Sequence, residues 1–511
     1  MDAPQDSRIR SIVIVGGGTA GWMTAAALVQ HFRNTPLKIT VVESSEIGTI
    51  GVGEATIPTI RRFYAQLGMT DAEVMQATQA TCKLGIRFVD WSGPGSDFIH
   101  PFGLYGQELK GIGFHHYWMR LKAQGDTTPL SDFSLGASLA RAGKFTHPSP
   151  NPPSSLSVFD WALHLDASLF AQHLRAYAEA GGCARIDARV GRVDLRATDG
   201  FIETITLEDG RQIEADLFVD CTGFKGLLIG EALGSTYEDW GQWLPCDTAY
   251  AVQSENAPGQ LLQPFTQVTA RSAGWQWGIP LRHRAGNGIV FSSAHLDDQQ
   301  ALDTLMPNLM GQPVTEPRRI GFRPGRRHQA WVKNCVAIGL SAGFLEPLES
   351  TSIALIENGI ERLKSLFPDR NFAQPVVDEY NEQSAREMER TRDFIILHYK
   401  LNGRDEPMWR DCREAAVPET LQRKIDLWKA RGQFVRYRWE MFHPASWLAI
   451  YDGFDAMPET YDPGVDSFAV EDLSRGLSEM RAAVARTVAE TPTHAQFLAQ
   501  FPAGLDRPRA A

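Results

Sequence analysis

Lys83 stands where a lysine is out of place. In Cys82-Lys83-Leu84-Gly85-Ile86-Arg87-Phe88 the ammonium is surrounded by apolar and aromatic residues, whereas lysines are ordinarily solvated surface charges. An amine drawn partly out of water has a lowered pKa, and more of it is available as a free base or hydrogen-bond partner. A second constellation is Gly16-Gly17-Gly18-Thr19-Ala20-Gly21, a GxGxxG run between an apolar strand and a largely apolar helix. Gly16 allows a tight turn, Gly18 lets the backbone approach a pyrophosphate, and Gly21 lets helix and strand pack closely. The helix N-terminus at Thr19 and Ala20 supplies amide donors and a favourable dipole. Glu43 closes the next strand about where a ribose-binding acid is expected. The glycine run alone is a weak signal, because glycine turns are common. The strand, the helix and the acid together favour dinucleotide binding over a purely structural turn.

Two later pieces favour FAD over NAD. Asp220-Cys221-Thr222-Gly223 follows an apolar strand and resembles the second pyrophosphate-side motif of monooxygenase-type FAD enzymes. Val336-Ala337-Ile338-Gly339, continuing into Leu340-Ser341-Ala342-Gly343, resembles the strand and turn beside the flavin ribityl chain. That resemblance sets Gly339 and Leu340 against the cofactor. Either piece alone could be an ordinary strand end.

Trp275-Gln276-Trp277-Gly278-Ile279-Pro280 resembles the WxWxIP signature of flavin-dependent halogenases, and the context of Lys83 resembles the KLGIxF context of the essential lysine in tryptophan halogenases. Without that resemblance the tryptophans would read as one aromatic face of a strand. Their steric use would be to keep an organic substrate away from the activated flavin, an approach that a hydroxylase needs and a halogenase forbids. Residues 47–58, IGTIGVGEATIP, resemble the strap that links the flavin and substrate sites. Asp97-Phe98-Ile99-His100-Pro101-Phe102 resembles the segment whose His and Phe sandwich the substrate ring. Glu346-Pro347-Leu348-Glu349-Ser350-Thr351 resembles EPLEST. The resemblance places Glu349 near the lysine, where it stabilises the cationic ring intermediate or takes its proton. It assigns halide binding to the amides of Thr351 and Ser352, with Ser352 standing where the family usually has glycine.

The resemblance implies reduced FAD from a separate reductase, oxygen, and chloride or bromide as halide ion. Hypohalous acid then reaches Lys83, which passes the halogen on as a haloamine or polarises the acid by hydrogen bonding. The acceptor lies between His100 and Phe102, and its position sets the regiochemistry. In tryptophan-specific members the C-terminal part holds the amino-acid group. The comparable stretch here is Tyr437-Arg438-Trp439-Glu440-Met441-Phe442-His443-Pro444-Ala445-Ser446-Trp447. With Phe442 in the Phe position, the neighbouring Trp becomes His443 and the ammonium-binding glutamate becomes Arg438. Phe442 and Trp447 remain as candidate substrate contacts, Trp439 beside them, and the expected acceptor is an indole-like ring: tryptophan, indole or a derivative. The rival readings are an FAD-dependent aromatic hydroxylase and a non-catalytic flavin-binding protein. The resemblance also suggests a homodimer.

These residues need a scaffold of matching length. At 511 residues the chain exceeds one simple core. The pattern gives an α/β fold: a Rossmann-like FAD-binding domain over 1–375 with an inserted sheet, and a mostly helical substrate-binding part over 376–511. Strands are expected at 12–15, 38–42, 249–253, 266–270, 274–278, 288–293 and 336–338, with a β-meander over 189–219. Helices are expected over 22–32, 57–81, 163–180 and from about 351. A net charge of -11 argues against non-specific nucleic-acid binding. No run reaches the roughly 18 apolar residues of a membrane span. Six scattered cysteines without a CxxC pair indicate neither a disulfide framework nor a zinc site and fit a reducing cytoplasm. His115-His116 lacks companions at metal-ligand spacing and reads as structural.

Overall fold

The computed structural model describes residues 7–46, 53–257 and 259–501. Residues 47–52, half of the expected strap, lie outside them. Strand Ser11–Val15 is the hub of a six-stranded sheet, flanked in parallel by Lys38–Glu43 and Leu217–Asp220. Ala184–Asp187 adds beyond the first flank, and Cys335–Ala337 beyond the second. The β-branched runs suit strands buried on both faces. The register aligns Val15 with both Val42 and Asp220, and Asp220 with Ala337. The glycine turn, Glu43, Cys221 and the turn after Ile338 therefore all emerge at the carboxyl edge, where open parallel sheets take ligands.

Helix Thr19–His31 packs against this sheet between helices Ala167–Ala180 and Ser352–Ser365. Beside it stands a seven-stranded sheet. In order its strands are Arg318–Gly321, Thr248–Ser254, Ala285–Phe291, Gly274–Pro280, Thr266–Arg271, Gly85–Val89 and Asp97–Pro101. A small sheet of Gly53–Ala55, Ala162–Asp166 and Thr81–Lys83 bridges the two. After Phe344 the named elements are helical, from Gln374–Lys400 to His494–Leu498. These helices bury Tyr399, Trp409 and Trp428 in the same core as Ile86, Phe88 and Trp275 of the large sheet.

Several expected elements change. The helix expected over 57–81 becomes Thr59–Gln66 and Asp71–Ala77, broken at Gly68 (φ +81°) and restarted by a capping box of Thr70 with Glu73. Its last residue, Thr81, begins the strand that carries Lys83. The helix expected over 163–180 starts only at Ala167. Residues 163–166 pair as a strand on both sides, and the Asp166 carboxylate caps the helix at the amides of Ser168 and Leu169. The meander ends at Glu214, and Leu217–Asp220 joins the parallel sheet.

His115 Nε2 lies 2.8 Å from the Gly432 carbonyl, and His116 Nδ1 accepts from the Asp462 amide. Both tie the C-terminal part to the helix Phe114–Ala123. None of the six cysteines is in a disulfide. Among the described residues no three side chains could hold a metal ion, and no helix is long and apolar enough to cross a membrane.

Candidate active site

At the carboxyl edge of the parallel sheet lies a cavity of about 840 Å³. Gly16, Gly18, Thr19, Ala20 and Glu43 line one end, and Trp275, Trp277, Ser350 and Ser352 line the other. Gly16 sits at φ +112°, and a Cβ there would fall 2.2 Å from the Cys221 carbonyl oxygen. Gly21 leaves room for helix against turn, since its Cβ would fall 1.8 Å from Gly16 O. A Cβ on Gly18 would meet nothing within 4 Å, so bare backbone faces open space at the start of a 13-residue helix. These features and the cavity's size fit a dinucleotide. Glu43 is already engaged: Oε1 is 2.5 Å from Arg185 Nε, and Oε2 accepts from Trp22 Nε1. Leu340 lines the cavity, whereas Gly339 (φ +79°) turns toward Ala20 and Ile356.

Trp275 and Trp277 alternate along their strand, so both indoles share one face, 6.0 Å apart. Trp277 lies over Gly288, where a Cβ would fall 2.1 Å from its ring. Trp275 Nε1 points to Glu346 Oε1 at 3.4 Å, and the Tyr399 hydroxyl donates to the same oxygen at 2.6 Å. Burial pushes the Glu346 carboxyl up to about 7.

Lys83 lies behind this cavity, fully buried. Its Nζ donates to the Thr56 carbonyl at 3.0 Å and to Ser350 Oγ at 2.8 Å, and sits 5.2 Å from the centre of the Phe102 ring. Burial pulls its pKa down to about 7, against the opposing pull of Glu349. Ser350 holds a left-handed backbone (φ +59°), uncommon for a residue with a side chain. It is shared: its side chain holds Lys83 and it also lines the cavity.

Glu349 is buried between two histidines. His100 Nδ1 lies 2.9 Å from Oε2, and His398 Nε2 lies 2.8 Å from Oε1. Burial pushes this carboxyl up, but the histidines outweigh it and hold it down to about 2. His398 Nδ1 faces the Phe394 carbonyl at 2.8 Å. His100 Nε2 is buried without a partner.

His100 and Phe102 stand beside the lysine, but their rings meet at 71° with centroids 6.5 Å apart, not as parallel walls. Phe442 lies 6.4 Å from His100 and stacks at 3.9 Å on Phe394, which meets Trp447 edge-on at 5.0 Å. Thr351 and Ser352 open the 14-residue helix Ser352–Ser365; Ser352 lines the cavity and Thr351 is buried.

The C-terminal candidates fall in different surroundings. Arg438 is exposed and stacks on Trp439, and His443 is an exposed cap whose Nδ1 accepts from the Ala445 amide. The buried acid of that stretch is Glu440, whose side chain is 4% exposed. Sequence reasoning also missed Phe394 and His398. Their only signal was spacing of four on a long helix, which puts them on one face but says nothing of Glu349.

A family model for tryptophan halogenases matches residues 11–470. BrvH, a flavin-dependent halogenase from Brevundimonas sp. BAL3, has 75% identity and a TM-score of 0.95, covering 97% of this chain and 100% of that one. Xcc4156, a flavin-dependent halogenase from Xanthomonas campestris, has 43% identity and a TM-score of 0.94, covering 98% and 100%. Tryptophan 6-halogenase SttH of Streptomyces toxytricini is 36% identical over 473 residues, 87% of this chain and 89% of its own. The chain belongs to the tryptophan halogenase family and is a flavin-dependent halogenase.

Proposed function

We propose that this halogenase uses FAD, chloride or bromide, and an indole-like acceptor such as tryptophan, indole or a derivative, with Lys83 as the group that delivers the halogen. The observation that carries this is the fully buried Lys83 amine, separated from the glycine-lined cavity by Ser350. When bound there, reduced FAD from a separate reductase supplies, with oxygen and halide, the hypohalous acid.

The chain's own residues divide the remaining work. Gly16, Gly18, Thr19 and Ala20 bind the pyrophosphate with backbone amides, Gly21 and Gly339 support that turn, and Glu43 and Leu340 flank the cofactor. Thr351 and Ser352 offer helix N-terminal amides to the halide, where the dipole favours an anion. Trp275 and Trp277 wall the cavity against organic substrates. A pKa of about 7 leaves a large share of Lys83 as amine at neutral pH, able to bind or polarise an electrophilic halogen. His100, Phe102, Phe442 and Trp447 present the ring to it. Glu349, kept ionised, stabilises the cation formed as the halogen adds and receives the departing ring proton.

The test incubates the enzyme with FAD, a flavin reductase, oxygen and indole, with chloride and bromide in parallel, and reads products by mass spectrometry. A halo-indole is expected. A product heavier only by oxygen, or none across an indole and phenol panel, overturns the proposal.

A further inference from the structure

Beyond the Phe394–Phe442 stack, two C-terminal helices and the segment linking them form a seat for a cation. Trp447 and Tyr437 give its walls, and the Glu440 carboxylate gives its anion. Lys424, on the helix Glu419–Arg431, fills it. Its Nζ lies 4.3 Å from the centre of the Trp447 ring, 4.9 Å from that of Tyr437 and 2.7 Å from Glu440 Oε1, and it donates to the Val435 carbonyl. The Lys424 and Glu440 side chains are 5% and 4% exposed. Aromatic faces beside a carboxylate are how proteins recognise alkylammonium ligands; here the ammonium belongs to the chain itself.

One detail marks the seat as more than a structural ion pair: Trp447 Nε1 is buried without a partner. Trp447 also touches Phe394, which stacks on Phe442 beside His100. The seat therefore begins one ring beyond the cluster next to Lys83. A second cation, Arg390, lies 4.5 Å from the centre of the Tyr437 ring.

We propose that Lys424 determines substrate class: its ammonium occupies the cation seat adjoining the aromatic cluster, so the enzyme favours neutral indole-like acceptors over indoles with a cationic amine on the side chain. An incoming ammonium would find the carboxylate taken and two like charges nearby, a juxtaposition that costs affinity. This rests on the halogenation of indoles proposed above.

Tryptophol and tryptamine provide the test, since they share ring and chain and differ in the terminal hydroxyl or ammonium. Wild-type kcat/KM is expected to favour tryptophol by about tenfold or more, the scale of one unfavourable charge contact. Lys424→Met should narrow that ratio about tenfold and tighten calorimetric tryptamine binding to match. Adding Glu440→Gln should remove the gain. Equal use of the two substrates by the wild-type enzyme overturns the proposal without any variant. So does a folded Lys424→Met, verified by circular dichroism, that keeps the wild-type ratio. If the wild type halogenates neither these nor indole, the halogenase reading fails with it. Halogenated indole with an unchanged ratio overturns this inference alone.

Discussion

The glycine-lined cavity and the buried cluster around Lys83 meet at Ser350 and are built in opposite ways. The cavity is made of backbone: strand ends brought level by the register of the parallel sheet, glycines that keep side chains out, and a helix N-terminus. The lysine pocket is made of side chains from four separate places. Lys83 comes from the bridging sheet, His100 from the large sheet, Glu349 from a turn and His398 from a long C-terminal helix. A backbone site keeps its shape when neighbouring side chains change. A buried polar network loses more than one contact when a member is removed, because its partners are left unpaired in a low dielectric.

That contrast can be broken at four points. Lys83→Ala should lower halogenated product by about 10³-fold, in the range of a lost catalytic proton-transfer or delivery group. Consumption of reduced flavin and oxygen, followed with an oxygen electrode, should stay within about twofold. Retained halogenation would mean that the pocket does not deliver the halogen.

Glu349→Gln keeps the shape but removes the charge that His100 and His398 hold in place. Turnover should fall about 10²-fold with KM nearly unchanged, the pattern of an interaction made mainly in the transition state. A rise in KM alone would make Glu349 a binding group.

On the cavity side, Gly18→Val places a side chain in open space. FAD affinity measured by fluorescence titration should weaken about tenfold, roughly 1.4 kcal/mol, with the melting midpoint within about 2 °C of wild type. An unchanged affinity would move the pyrophosphate elsewhere.

The smallest effect concerns pH. Halogen transfer in single turnover should rise severalfold as pH increases through about 7, as the buried Lys83 amine loses its proton. The same residue gives a stability signature. Between pH 7 and about 10.4 the unfolded lysine holds a proton that the folded one has released, so Lys83 makes the enzyme more stable as pH rises across that window. The penalty of burying its charge is present in full below it. Lys83→Met should flatten this slope in chemical denaturation; an unchanged slope would show that Lys83 stays charged.

The same contrast explains what the sequence disclosed. The glycine run, Glu43 and the β-branched strands were readable because backbone sites depend on local conformation, which short motifs encode. Lys83 was readable from its apolar neighbours. His398 was not, because only the packing of a distant helix against the large sheet brings it to Glu349. The helix expected over 163–180 failed at its start because strands on both sides capture residues 163–166. In the C-terminal stretch, the sequence did not disclose that Glu440 is buried while Arg438, two residues before it, is exposed. Counting residues across an irregular segment gives no account of which way each side chain turns.

Ser350 belongs to both compartments, and this ties their chemistry together. Its oxygen is one of two acceptors that hold the Lys83 amine, and the same residue faces the cavity. A hydroxyl that accepts from the amine still has its own hydrogen to donate, so a group accepting it from the cavity side would orient the oxygen that holds the lysine. For engineering, this makes position 350 a poor place to adjust either activity alone. A substitution chosen to reshape cofactor binding would also reset the basicity and aim of the lysine, and the two changes would have to be selected as a pair.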